Sequence, residues 1–236
     1  MASAPPQGYS DPVLQMLTRP LPSLYEGWQD EAGIDLTLWT PTNPGAGAAW
    51  ARGAFGESLM ASASPNALNN ARLRSNQRWI ASPDNYGANK VISRFILEFE
   101  ADFTGFANFD NANFFLGLTG AIGDTRSTAL ANLNGFSLVG AGNALQTLSA
   151  VGGAETTFTG FGENLLLANK FRIELFLFAA PGVGHGKFYL NDVLIATHVV
   201  NNPSNTPMYL NFYAPAGAGG AATVRLGITR CWYEDR

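Results

Sequence analysis

The sequence predicts an all-β domain, a two-sheet antiparallel sandwich over residues 26–236, preceded by an extended arm over residues 1–25. Three observations carry this reading. Residues 186–200 read as strand, two-residue turn, strand. Three longer stretches alternate apolar and polar residues with a period of two, the mark of a strand with one buried face. Elsewhere, short apolar runs recur between Gly, Asn and Pro clusters, the punctuation of an antiparallel sandwich or barrel rather than of helices.

The arm differs from everything after it. Pro5, Pro6, Pro12, Pro20 and Pro22 remove backbone donors and fix φ, which defeats both helix and central strand. Yet Val13, Leu14, Met16, Leu17, Leu21, Leu24 and Tyr25 are apolar, whereas a disordered tail is polar throughout. Such an arm is expected to lie on a surface, its own domain's or a neighbour's. Candidate strands follow at 34–39, 57–61, 68–73, 91–103, 113–118, 135–139, 145–151, 171–178, 186–190, 193–200, 208–213 and 222–233. In 95–103 the odd positions are apolar, while Glu98, Glu100 and Asp102 share the other face. In 170–178, Phe171, Ile173, Leu175 and Leu177 form one face. In 224–233, Val224, Leu226, Ile228, Arg230 and Trp232 are expected on one side, with Cys231 and Tyr233 on the other. Sixteen phenylalanines supply the volume that a two-sheet core needs.

Composition narrows the function. Apolar residues make up 46% of the 236, enough for a sizeable core, but charged residues only 14%, against roughly 25% in ordinary globular chains. The surface must therefore be covered by Asn, Ser, Thr, Gly and Ala, which suits docking against protein or sugar. A net charge of −4 speaks against nucleic acid, which calls for a clustered basic surface. The closest approach to one is Arg72, Arg74 and Arg78, diluted by Leu73, Asn76 and Gln77. No stretch approaches the 18 apolar residues of a membrane span, and the N-terminus has neither the basic nor the apolar region of a secretory signal. Production in the host cytoplasm is the expectation. The single cysteine, Cys231, excludes an internal disulfide framework and reads as a small buried hydrophobe.

The run Gly186-Lys-Phe-Tyr-Leu-Asn-Asp-Val-Leu-Ile-Ala-Thr-His resembles the late hairpin of the concanavalin A-like lectin/glucanase superfamily, laminin-G and pentraxin-like members included. Asn191-Asp192 stands where that family has Asn-Gly. The resemblance implies a jelly-roll sandwich, extends loosely to residues 36–73 through Trp39 and Trp50, and covers roughly residues 26–236. The same style of domain, with no signal, few charges and an extended arm, is similar to sandwich proteins of tailed-phage virions.

Glu98, Glu100 and Asp102, at i, i+2 and i+4, lie on one face of a strand. The β-glucanase branch places Glu, Asp, Glu on such a ladder. Here the order is Glu, Glu, Asp, which puts a short carboxyl where the acid must reach the leaving oxygen, so a polar outer face is the expected role. His185 and His198 are too few for zinc, and no Gly-x-Ser-x-Gly elbow is present. Asp110, Asn111 and Asn113, or Asn191 and Asp192, supply oxygens of the kind calcium takes but no defined ligand set. No catalytic residue, metal or cofactor is therefore expected. The functional expectation is a non-enzymatic virion structural protein, a capsid decoration, cement or head/tail accessory subunit. It would dock in many copies, or as a homo-oligomer, on virion subunits such as the major capsid protein. The alternative is a lectin-like carbohydrate-binding module stacking sugars on Trp28, Trp50, Trp79, Tyr86 or Tyr213, with a β-glucan hydrolase less favoured.

Overall fold

The computed structural model describes residues 23–28, 34–42, 48–53, 58–62, 70–79, 92–105, 108–109, 114–120, 132–139, 144–152, 154–159, 164–176, 185–199, 206–215, 217 and 220–235. Among these the regular structure is antiparallel strand, gathered into two sheets. The first sheet runs β13 (Val193–His198), β12 (His185–Leu190), β11 (Asn169–Phe176), β6 (Ile92–Thr104), β15 (Ala222–Asp235), β4 (Ser58–Ser62), β3 (Ala48–Arg52). β1 (Leu24–Glu26) also pairs with β15. The second runs β10 (Ala154–Thr159), β9 (Ala144–Val151), β8 (Asn132–Val139), β7 (Phe115–Thr119), β14 (Met208–Pro215), β5 (Asn70–Trp79), β2 (Trp39–Thr42).

The predicted alternation decides which side of each strand turns inward. Phe95, Leu97, Phe99, Ala101 and Phe103 of β6 and Phe171, Ile173 and Leu175 of β11 are buried in the core between the sheets. Phe99 lies at its centre. Its ring stacks on Phe171 (5.2 Å, 9°) within its own sheet and meets Phe212 and Phe136 of the facing sheet edge-on, at 5.2 and 6.2 Å. These offset and edge contacts are the geometries that the ring quadrupole favours. Truncating so enclosed a ring leaves a cavity worth about 3–5 kcal/mol.

The hairpin is as expected. Asn191 and Asp192 take φ of 51° and 64°, the left-handed pair of a two-residue turn that matches strand twist. The Asn191 side chain holds the corner. Its Oδ1 accepts from Lys170 N (3.0 Å) and its Nδ2 donates to Asn169 Oδ1 (2.8 Å).

Four expectations are corrected. Of the predicted strand 34–39 only Trp39 is in a strand: Asp35 accepts from Thr37 N through its side chain and from Trp39 N through its carbonyl, closing a turn as β2 begins. β10 carries no strand signal, because Ala-Glu-Thr-Thr-Phe-Thr lacks a clear apolar alternation, and β3, Ala-Ala-Trp-Ala-Arg, is marked only by the resemblance at Trp50. β15 keeps its predicted faces only to Leu226. There the register with β6 slips, Leu226 opposing Ala101 and Thr229 opposing Phe99, so β15 carries one extra residue. The bulge exposes Ile228 and reverses the faces beyond it. Cys231 and Tyr233 enter the core, and Arg230 stacks over Trp232 outside. Finally, β1 crosses the expected end of the arm: Leu24 is buried in the core and Tyr25, beside it, is exposed. Val13, Leu14, Met16, Leu17 and Leu21 lie outside the described residues.

Gly117 of β7 and Gly135 of β8 face each other. A Cβ on Gly135 would sit 2.5 Å from Phe115 Cζ and 2.6 Å from Leu116 O. Gly135→Ala is expected to destabilise the protein by about 2–3 kcal/mol, since this clash outweighs the ~1 kcal/mol that Ala usually gains over Gly in a strand. Urea denaturation checks this, and an unchanged midpoint would contradict it.

Candidate functional site

With two sheets packed face to face, each keeps one outer face, and the two differ in chemistry. On the first sheet the outer face is a lattice of opposed charges. Lys170 bridges Glu98 and Asp192, both at 3.1 Å. Arg172 reaches Glu174 and Asp192, both at 3.3 Å. Arg94 binds Glu174 at 3.2 Å and also Glu234. Arg225 binds Asp102 at 2.9 Å, and Arg230 binds Glu98 through Nε at 2.8 Å. Bonds to Asp192 and Glu98 raise the Lys170 pKa, and those to Glu234 and Glu174 raise that of Arg94. Of the acidic ladder, Glu98 and Asp102 are thus held by cations, and exposed Glu100 lies against Gly227 at the β15 bulge.

The second sheet's outer face is different. Its residues follow from parity. Because Leu73, Leu210 and Phe212 enter the core, Arg72 and Arg74 of β5 and Tyr209, Asn211 and Tyr213 of β14 must face out. They meet across the ladder as Tyr213 with Arg72 and Asn211 with Arg74. Between Asn211 and Tyr209, β5 carries two extra residues, so Arg78 becomes the partner of Tyr209. Ser75 fills the irregularity, its Oγ accepting from Leu210 N at 3.0 Å. The result is convergence: the Arg74 and Arg78 guanidinium carbons lie 4.9 and 5.0 Å from the centroid of the Tyr209 ring.

Asn211 forms the floor beside them, opposite Gly117 on its other side. It is 2% exposed, and its Oδ1 has no hydrogen-bond partner among the described residues. A buried acceptor left unpaired costs roughly 1–3 kcal/mol. Around it, Tyr209 and Arg74 are half-buried, Arg78 is exposed, and Thr40 and Thr42 of β2 complete the edge. Farther along the face, toward β8 and β9, Phe115, Leu133, Leu148 and Ala150 form a small buried apolar cluster.

The aromatics expected to stack sugars are elsewhere. Trp28, Trp50, Trp79 and Tyr213 are each 4% exposed or less, so none offers a ring face to solvent. Trp28 is an architectural plug. Held at φ 53°, it donates from Nε1 to Gly227 O at 2.6 Å and packs on Trp39 at 5.3 Å. Tyr86, Asp110, Asn111 and Asn113 lie outside the described residues. Asn191 and Asp192 serve the hairpin and its ion pairs. Among the described residues no group of three His, Cys, Asp or Glu side chains converges. Burial pushes the Cys231 thiol pKa up.

His198 bridges the sheets. From β13 its Nε2 lies 3.0 Å from Thr147 Oγ1 and its Nδ1 2.8 Å from Ser149 Oγ, both on β9, and Ser149 in turn donates to Asn134 Oδ1. His185 instead stacks on Phe176 at 4.3 Å.

No protein-family model matches the chain, and no curated protein matches it. Solved structures do resemble it in fold. The Emp47p carbohydrate recognition domain superposes with a TM-score of 0.59 at 10% identity, covering 91% of this chain and 97% of that one. The Bacillus licheniformis β-glucanase gives 0.56 at 16% identity, with 91% and 98% covered. LamAcat from Zobellia galactanivorans gives 0.56 at 11%, with the same coverage. The chain therefore has the jelly-roll fold of the concanavalin A-like lectins and glucanases. None of these three is a virion protein, and the virion expectation draws no support from them.

Burial lowers the His198 pKa to about 4, below the roughly 6.5 of an unfolded histidine. The unfolded chain therefore takes up the proton first, and stability present above pH 6.5 is lost as pH falls toward 4. Between pH 7 and 4.5 the wild type is expected to lose about 2–3 kcal/mol more than His198→Phe. Parallel denaturation curves at the two pH values check this; equal losses would contradict it.

Proposed function

We propose that this protein is a non-enzymatic, lectin-like carbohydrate-binding module whose glycan lies across the outer face of β14, β5 and β2. The observation that carries the reading is Asn211: a buried carbonyl oxygen without a partner, set among Tyr209, Arg74 and Thr40. A sugar hydroxyl supplies the missing donor, and forming that bond recovers the free energy otherwise lost at the orphaned acceptor. Tyr209 is half-buried beside it, and the arginine donors around it suit a ligand rich in oxygen acceptors.

Two further points support it. The fold is the one used by the Emp47p carbohydrate recognition domain, so a jelly roll of this size is a proven carrier of sugar recognition. Hydrolysis, by contrast, needs one carboxyl free to donate a proton and a second free to attack or activate water. Here Glu98 is gripped by Arg230 and Lys170, and Asp102 by Arg225, which favours a binding role for the chain.

A glycan array followed by calorimetry on the best ligand tests the reading. At least one oligosaccharide is expected to bind, and Tyr209→Ala is expected to weaken it tenfold or more, about 1.4 kcal/mol. Trp28→Phe, altering a ring enclosed in the core, is expected to leave affinity unchanged. An array without binding, or full affinity in Tyr209→Ala, would overturn the proposal.

A further inference from the structure

Resting on the glycan-binding reading of this face, the convergence on Tyr209 of two guanidinium groups that meet no carboxylate among the described residues points to a narrower ligand class: we infer that the site selects sugars bearing an anionic group, a carboxylate or a sulfate. The inference begins with what the two cations lack. On the opposite sheet Lys170, Arg94, Arg172, Arg225 and Arg230 each reach a carboxylate within 3.3 Å. Arg74 and Arg78 reach none among the described residues, and the Arg74 Nε is buried without a hydrogen-bond partner. What they share is the face of one ring.

Distance makes the imbalance firm. Among the described residues, Asp35 in the turn before β2 is taken up by Thr37, and within the seven strands of this sheet the one acidic residue is Glu155, on β10, the edge strand five places from β5. At about 4.8 Å per strand that is on the order of 24 Å. The screening length at physiological salt is about 8 Å, so Glu155 does not neutralise the pair. Two like charges brought to one ring repel each other. The arrangement is costly unless an anion arrives, and the shared ring, whose face attracts cations, offsets only part of that cost.

Geometry then selects a sugar over an acidic peptide. A guanidinium fork donates two parallel bonds to a carboxylate or sulfate. Asn211 Oδ1, paired across the ladder with Arg74, asks in addition for a hydroxyl donor one residue spacing away. An anionic sugar carries an oxyanion and adjacent hydroxyls on one rigid ring, and so satisfies both demands with a single residue.

Calorimetry with a galacturonate hexasaccharide, its methyl ester, a heparin-derived hexasaccharide, cellohexaose and polyglutamate tests this. An acidic sugar is expected to bind at least tenfold tighter than the methyl ester and cellohexaose, with affinity falling as salt rises. Arg78→Gln and Arg74→Gln are each expected to weaken it tenfold or more, while Arg74→Lys retains part of the affinity. Whether the galacturonate or the heparin fragment is preferred assigns the oxyanion as carboxylate or sulfate. Arg78 is exposed, so its variant decides the matter even where Arg74→Gln unfolds. Equal affinity for cellohexaose with no effect of Arg78→Gln would overturn anionic selection and leave the glycan-binding reading standing. Polyglutamate binding as tightly as the acidic sugars would overturn it in favour of a peptide site. Binding to no oligosaccharide would overturn both.

Discussion

Phe99 must sit between Phe171 in its own sheet and Phe136 and Phe212 in the other, and most of the molecule's surface chemistry follows from that requirement. A strand has only two faces. Once Phe212 and Leu210 of β14 are drawn in to meet the ring of β6, Tyr209, Asn211 and Tyr213 have nowhere to point but out. The same holds for β5, where burial of Leu73 turns Arg72 and Arg74 outward. On β6 it lines Glu98, Glu100 and Asp102 along the opposite surface. The core thus distributes the charges before any of them interacts.

What the charges then do differs between the faces because the partner strands differ. β11 and β15 flank β6 with Lys170, Arg172, Arg225 and Arg230, so each buried or half-buried carboxylate finds a cation across the ladder. Such pairs contribute little individually when exposed, but each of these four cations has a carboxylate within reach. β14 and β2 flank the second sheet's arginines with Tyr, Asn and Thr. Among the described residues the demand there stays open, in two guanidinium groups without carboxylates and one carbonyl oxygen without a donor. A low overall charge makes the contrast sharper.

Much of the fold was legible in residues whose pattern is local. The alternation in β6 and β11 and the turn at Asn191-Asp192 each follow from one strand and its nearest neighbour. Legibility ended where a single residue breaks the period. The bulge after Leu226 cannot be read from Val224–Tyr233 alone, because nothing in the alternation marks Ile228 as surplus; Gly227 was the one hint. The site was legible in part. Arg72 alternates with Leu73 at the end of the predicted strand 68–73, but β5 runs on to Trp79 and carries Arg74 and Arg78 beyond it. That Arg78 rejoins Arg74 over a single ring depends on two extra residues in β5 opposite β14, a pairing between segments more than 130 positions apart. The tryptophans misled for a related reason. Trp28 stands outside any apolar run, and its burial comes from contacts with Trp39 and Gly227, both distant in sequence.

The central claim is that ligand binds the outer face of the second sheet, over β14 and β5, and leaves the charge lattice of the first untouched. Amide chemical-shift mapping of the isotope-labelled protein during titration with an acidic oligosaccharide tests it directly. The account predicts saturable shifts concentrated at Arg74–Arg78 and Tyr209–Asn211, with Glu98, Lys170 and Arg230 unmoved. Shifts centred on Glu98, Lys170 and Arg230 would contradict it.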